Sequence, residues 1–126
     1  MISKDLQDLM ADANAALEQV APGDAVALLD DADTVFIDVR ESQEWAQGRI
    51  PGAVHAPRGF LEFIAHPQSP NHNPAFTSGK RLVIYCGSGG RSALAGKTLA
   101  DMGFQRVANL MGGIQGWMQN GGSLES

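Results

Sequence analysis

Apolar residues recur in two rhythms along this chain, and their alternation divides it into helical and extended segments. Leu6, Leu9, Met10, Ala13, Ala16, Leu17 and Val20 fall at three- and four-residue spacing, leaving Lys4, Asp5, Asp8, Asp12 and Glu18 outward. The pattern predicts an amphipathic helix capped by Ser3. Its stripe is expected to pack on the body of the domain, with a dimer or partner surface as the alternative. A second helix is expected from Pro22, whose missing N–H costs nothing in a first turn, through Leu29. Asp24 lies near the positive end of its dipole. Asp30, Asp31 and Asp33 mark a turn. Thr34 to Ile37 reads as a strand entering Asp38 and Arg40, after which Ser42 can cap a short helix carrying Glu44 and Trp45.

Gly48 closes that helix, and Pro51-Gly52 is a turn leading into a short strand at Val54, His55 and Ala56. Phe60, Leu61, Phe63 and Ile64 form an apolar helical face. From His66 to Lys80 the prolines at 67, 70 and 74, among asparagines and serines, predict a surface loop without regular structure. It is either a rim over a functional site or a plain excursion. Arg81 to Tyr85 is a buried strand, Ser92 to Ala100 a helix with Gly103 beyond its last turn, and Val107 to Leu110 a final strand. Gly112-Gly113 opens a closing helix with Trp117 inward, and the tail from Gly121 is expected to be frayed. Strands alternating with helices imply an α/β domain with a mainly parallel sheet, covered on both faces and joined by right-handed crossovers.

The chemistry concentrates where the strand Arg81–Tyr85 ends. It delivers Cys86, the sole cysteine, into Gly87-Ser88-Gly89-Gly90-Arg91. A lone cysteine after an apolar strand is often just a small buried hydrophobe. A core cysteine, however, needs neither three glycines nor an arginine within five residues. Glycines let a loop turn several N–H groups inward, a concavity suited to an anion such as a thiolate, and the carboxyl edge of a parallel sheet is where ligands bind. A phosphate-binding loop is not indicated: the Gly-Lys-Ser/Thr ending is missing, and Ser92 holds the last glycine position of the dinucleotide pattern. An activated thiolate remains. Asp38 and Arg40 are expected to form a buried ion-pair and cap network that supports the neighbouring strand end.

The 126 residues suit one domain, and 44% apolar content is ordinary for a globular core. A net charge of −5 argues against nucleic acid or an anionic membrane as partner. Met1-Ile2-Ser3-Lys4-Asp5 has no basic and apolar run of the kind that begins a signal peptide, and no segment reaches transmembrane length. With one cysteine and no possible internal disulfide, a cytoplasmic protein is expected. His55, His66 and His72 do not repeat at ligand spacing with carboxylates or thiols, so neither a metal nor a cofactor is expected.

Three segments together resemble a single-domain rhodanese, a sulfurtransferase family. They are the Cys-x4-Arg loop from Cys86 to Arg91; Phe36-Ile37-Asp38-Val39-Arg40-Glu41 with Glu44-Trp45 and Gly48-Arg49-Ile50-Pro51-Gly52-Ala53; and Gly112-Gly113-Ile114-Gln115-Gly116-Trp117. The family usually has histidine where this chain has Arg49. The resemblance covers residues 19–122, leaving 1–18 as a helical extension and 123–126 as a tail. It implies a five-stranded sheet flanked by helices, with the cysteine at the base of a shallow pocket. It also implies transfer of a sulfane sulfur from thiosulfate or a related donor to a thiophilic acceptor through a Cys86 persulfide. Gly87, Ser88, Gly89, Gly90 and Arg91 would hold the donor, with Arg58 either helping from the rim or remaining a solvated charge. The partners would be a small donor and acceptor, or a thiol-containing or sulfur-accepting protein. Two alternatives stand beside it: a sulfur carrier or binding module, and a related phosphatase or arsenate reductase, whose loop is one residue longer.

Overall fold

The computed structural model describes residues 2–126; Met1, where the expected extension and the amino-terminal pentapeptide begin, lies outside the described residues. Five strands form one sheet: β1 (Glu18–Val20), β2 (Thr34–Asp38), β3 (Val54–His55), β4 (Arg81–Tyr85) and β5 (Val107–Leu110). Their order is β1-β5-β4-β2-β3, and every pairing is parallel. Leu82, Val83, Ile84 and Tyr85 are buried in succession, as a strand covered on both faces requires. Successive side chains point to opposite faces. Leu82, Ile84 and Cys86 accordingly enter one core cluster with Ala95, Leu99 and Leu61, while Val83 and Tyr85 enter another with Ala25, Ile114 and Trp117.

The helices are α1 (Leu6–Ala16), α2 (Pro22–Ala27), α3 (Ser42–Gln47), α4 (Leu61–Ala65), α5 (Gly90–Asp101) and α6 (Gly113–Gln119). The first ends sooner than its pattern predicts, with Leu17 already extended and Glu18–Val20 pairing beside β5. Val20 continues the helical spacing by coincidence, because a residue of an edge strand also turns inward at alternate positions. Asp5, not Ser3, caps the helix in a reciprocal capping box with Asp8. Ala13, Leu17 and Val20 of the stripe are buried; Leu6 and Leu9 face solvent. Leu17 packs where a Cβ at Gly96 of α5 would stand, so the small residue there lets the two segments meet closely.

Other expectations shift for equally local reasons. The second helix ends at Ala27, and Glu41 takes the cap position assigned to Ser42. The apolar face around residue 60 is split. Leu61 and Ala65 are buried, whereas Phe60 and Phe63 are 59% and 60% exposed because the chain turns through a 3-10 segment at Arg58–Phe60 before α4. Between His66 and Lys80 a second 3-10 turn, Pro74–Thr77, carries Phe76 into the core against Phe104. That connection lies over the amino end of β4 beside Gly103 and Arg106, so it is an excursion and not a rim over the cysteine. The tail is tied down: Trp117 Nε1 donates to Ser123 O at 2.7 Å, and Arg49 and Glu125 pair backbone to backbone at 2.9 Å in both directions.

Candidate active site

Cys86 follows β4 and is 1% exposed, with Gly89 in the left-handed region (φ 112°) turning the chain into α5. The helix begins at Gly90, two residues before the sequence pattern places it, so its first turn lies against the sulfur. Gly89 N donates to Cys86 Sγ at 3.1 Å, and Ser92 reaches it with both its N–H and its hydroxyl at 3.4 Å. Burial pushes the Cys86 thiol up, but the bonds from Ser92, Gly89 and the Ser88 amide outweigh it and leave the thiol below its ordinary value. Ser92, absent from the sequence-derived site, therefore belongs to it; as the first residue of an expected helix it carried no loop signal. The Gly87 and Gly90 positions contribute space and the helix start.

A second missed pair lies behind Ser92. Its hydroxyl is 2.6 Å from Asn109 Oδ1 on β5 and 3.2 Å from Gly89 O, and both side chains are buried. Asparagine in the middle of an apolar strand was the available signal.

Arg91 stands over the loop, but its guanidinium is engaged. Nη1 and Nη2 meet Glu44 Oε1 and Oε2 of α3 at 2.7 and 2.9 Å, a bidentate ion pair. That pairing holds the Glu44 carboxyl down at about 2 and raises Arg91. Gly87 fits beneath, where a Cβ would lie 3.2 Å from Arg91 Nη2. Arg58 does not join the loop: its guanidinium bonds go to Glu62 and to Thr98 Oγ1 at 3.2 Å.

Asp38 and Arg40 are buried together at the end of β2. Arg40 Nη2 lies 2.8 Å from Asp38 Oδ2 and 2.7 Å from Gly48 O, while Asp38 Oδ1 accepts from Arg40 N. Tyr85 borders the same group and receives Ile50 N–H at 3.2 Å; burial and the Asp38 charge push its phenol far up. Arg49 sits over the Trp45 ring at 4.5 Å and pairs with Glu125, and His55 stacks on the same ring. Where a histidine would usually stand, the arginine's charge links the turn to the tail.

The loop is also held from below. Ile114 N donates to Cys86 O at 2.9 Å and Gln115 N to Gly87 O at 3.2 Å, both from the first turn of α6. Gly113 (φ 60°) must be glycine there, since a Cβ would lie 2.5 Å from Gly87 O and 2.6 Å from Cys86 O. The resulting arrangement is an amide cradle around one sulfur, with a cation at its mouth.

Residues 21–120 match the rhodanese-like domain model. A sulfurtransferase of Allochromatium vinosum is 36% identical over 94 residues, covering 75% of this chain and 80% of that protein. YrkF of Bacillus subtilis, a candidate sulfur carrier protein, is 35% identical over 82 residues; the match takes in 65% of this chain but 40% of its relative. Among solved structures, a Rhodopseudomonas palustris protein of unknown function, described as a possible tyrosine phosphatase, shares 40% identity at a TM-score of 0.93. The match covers 99% of this chain and 97% of the other. Among the described residues no helix is long and apolar enough to cross a membrane.

Proposed function

Because the chain belongs to the rhodanese-like domain family, we propose that it moves a sulfane sulfur from thiosulfate or a related donor to a thiophilic acceptor through a persulfide on Cys86. The observation that carries this is the convergence of Gly89 N–H, Ser92 N–H and the Ser92 hydroxyl on Cys86 Sγ. A thiol of ordinary pKa is mostly protonated at neutral pH. Hydrogen bonds to a charged group are worth about 1.5–3 kcal/mol each and favour the thiolate against the cost of burial. The thiolate attacks the outer sulfur of the donor, a sulfur–sulfur bond forms, and sulfite leaves with the electron pair of the bond that breaks. A second nucleophile then removes the terminal sulfur as a thiocyanate or a new persulfide, and Cys86 returns as thiolate. Arg91 steers the anionic donor by exchanging its Glu44 partner for it. Asp38 and Arg40 act as a scaffold.

Similarity to the candidate carrier supports a variant in which the acceptor is a thiol-containing protein; the Cys86 persulfide is common to both. A cytoplasmic setting suits a single unpaired cysteine. The six-residue Cys-x4-Arg ring encloses one sulfur, whereas a phosphate needs space for several peripheral oxygens, and this separates the proposal from phosphatase chemistry. Intact-mass measurement after incubation with thiosulfate tests it. One added sulfur is expected, removable by cyanide and absent from Cys86→Ser. Sulfur loading by that variant, or aryl phosphate hydrolysis as fast as sulfur transfer in the native protein, would overturn the proposal.

A further inference from the structure

The buried hydroxyl of Ser92 has one proton and three acceptors within reach: Cys86 Sγ at 3.4 Å, Gly89 O at 3.2 Å and Asn109 Oδ1 at 2.6 Å. The orientation of the Asn109 amide follows from its other end. Nδ2 lies 3.4 Å from the Gly89 carbonyl, which can only accept, and 3.4 Å from Gln19 Oε1 on β1. The amide nitrogen must face that carbonyl, so the amide oxygen faces Ser92 and needs the serine proton. A neutral Cys86 is compatible with this: S–H donates to a lone pair of Ser92 Oγ, and the hydroxyl donates onward to Asn109. A thiolate can only accept, so it gains the hydroxyl's proton only at Asn109's expense. Bonding it obliges the hydroxyl to rotate and leaves the Asn109 oxygen without its donor in a buried site.

We infer that Asn109 is a positioning residue that competes with Cys86 for the single proton of Ser92, and so limits how far that hydroxyl can bond the reactive sulfur. The inference rests on Cys86 being the working nucleophile proposed above. The competition keeps the thiolate more basic than three unopposed donors would make it, which favours attack, because intrinsic thiolate nucleophilicity falls with pKa. In the release step Cys86 is the leaving thiolate, and a more basic one leaves more slowly, so the competition favours attack at the expense of release. Once Cys86 is a persulfide the charge lies on the outer sulfur, and the hydroxyl can return its proton to Asn109. The charged neighbours do not duplicate this control. Arg91 at the start of α5 is paired with Glu44 of α3, Asp38 and Arg40 at the end of β2 are paired with each other, and Glu18 of β1 is paired with Arg81. Neither β5 nor α6 contains a titratable side chain.

The rate of iodoacetamide alkylation followed against pH tests the competition without any sulfur donor. Asn109→Leu, with the same branching and number of heavy atoms but no acceptor, should lower the midpoint by about half to one unit, and Ser92→Ala should raise it. In the Ser92→Ala background, Asn109→Leu should no longer move the midpoint, an epistasis that a merely structural role would not produce. An unchanged midpoint in Asn109→Leu, or the same shift with and without Ser92, would overturn the inference. Should the leucine variant not fold, the side-chain amide resonances of Asn109 in the native protein give the same decision: they must titrate together with Cys86, and pH-independent resonances would refute it. Midpoint shifts in a protein that never accepts sulfur would leave the competition standing and remove the proposed function, so the two failures are separable.

Discussion

Gly113→Ala places one methyl group where the structure allows none. The added Cβ would lie 2.5 Å from Gly87 O and 2.6 Å from Cys86 O, both of them backbone atoms of the reactive loop. Ordinary carbon–oxygen contacts begin near 3.3 Å, so loop and helix must separate by roughly 0.8 Å. Holding alanine at the φ of 60° found here costs about 1–2 kcal/mol, and overpacking typically adds about 1–3 kcal/mol. A domain of ordinary stability survives that. The amides of Ile114 and Gln115 would pull away from the two loop carbonyls, carrying Cys86 out of register with Gly89 and Ser92. Misplacement of about 1 Å can cost about a hundredfold in rate, so sulfur loading per folded molecule should fall by about 30- to 100-fold. Gly112→Ala is the control. Its φ of 76° brings comparable backbone strain, but the nearest atom to a Cβ is 3.6 Å away. It should lose stability alone. Urea denaturation gives the folded fraction, and stopped loading reactions read by intact mass give the rate. Native loading in Gly113→Ala, or equal losses in both variants, would refute the view that this contact sets the cradle.

Asp38→Asn leaves the buried Arg40 charge opposed only by a carbonyl, and losing one partner of such a pair costs about 3–5 kcal/mol. Calorimetry should show a midpoint at least about 10 °C lower, with activity following the folded fraction; an unchanged midpoint with lost turnover would move Asp38 into the chemistry. Glu44→Gln frees Arg91 for the donor, and since a half-exposed pair is worth at most about 1 kcal/mol, KM for thiosulfate should fall by up to about fivefold. Glu44 is held down at about 2, so its charge is present at every pH above that, and the KM difference should persist unchanged from about pH 5 to 9; a gap that closes with pH would contradict the pairing. Deleting residues 123–126 removes the Arg49 and Trp117 tail bonds, with an expected loss of about 1–3 kcal/mol in urea unfolding and none in loading rate per folded molecule.

Which of these groups could be found in advance depended on how local their cause was. The strand–loop–helix unit around Cys86 announces itself, because an apolar run, three glycines and an arginine are contiguous. The edge strand Glu18–Val20 does not. Its three residues continue a helical spacing, and only pairing with β5, nearly ninety positions away, makes them extended. Asp38 and Arg40 were legible as a pair since a single residue separates them. The Glu44–Arg91 bridge and the Ser92–Asn109 contact join elements distant in sequence, and nothing within either segment specifies its partner. The tail departs from the fraying that its composition suggests: glycine and serine favour mobility, yet main-chain atoms of Ser123 and Glu125 meet Trp117 and Arg49, and the Glu125 carboxylate pairs with Arg49 besides.

The two amide bonds from the first turn of α6 also bear on the order of events as the chain is made. Cys86 leaves the ribosome well before Ile114 and Gln115, and until those residues emerge and fold, nothing fixes the carbonyls of Cys86 and Gly87. A nascent or truncated chain lacking that helix would carry the same thiol on the same glycines without the two carbonyl anchors that hold the loop in place. The loop around the sulfur would therefore reach its final geometry only after α6 has emerged and folded against it.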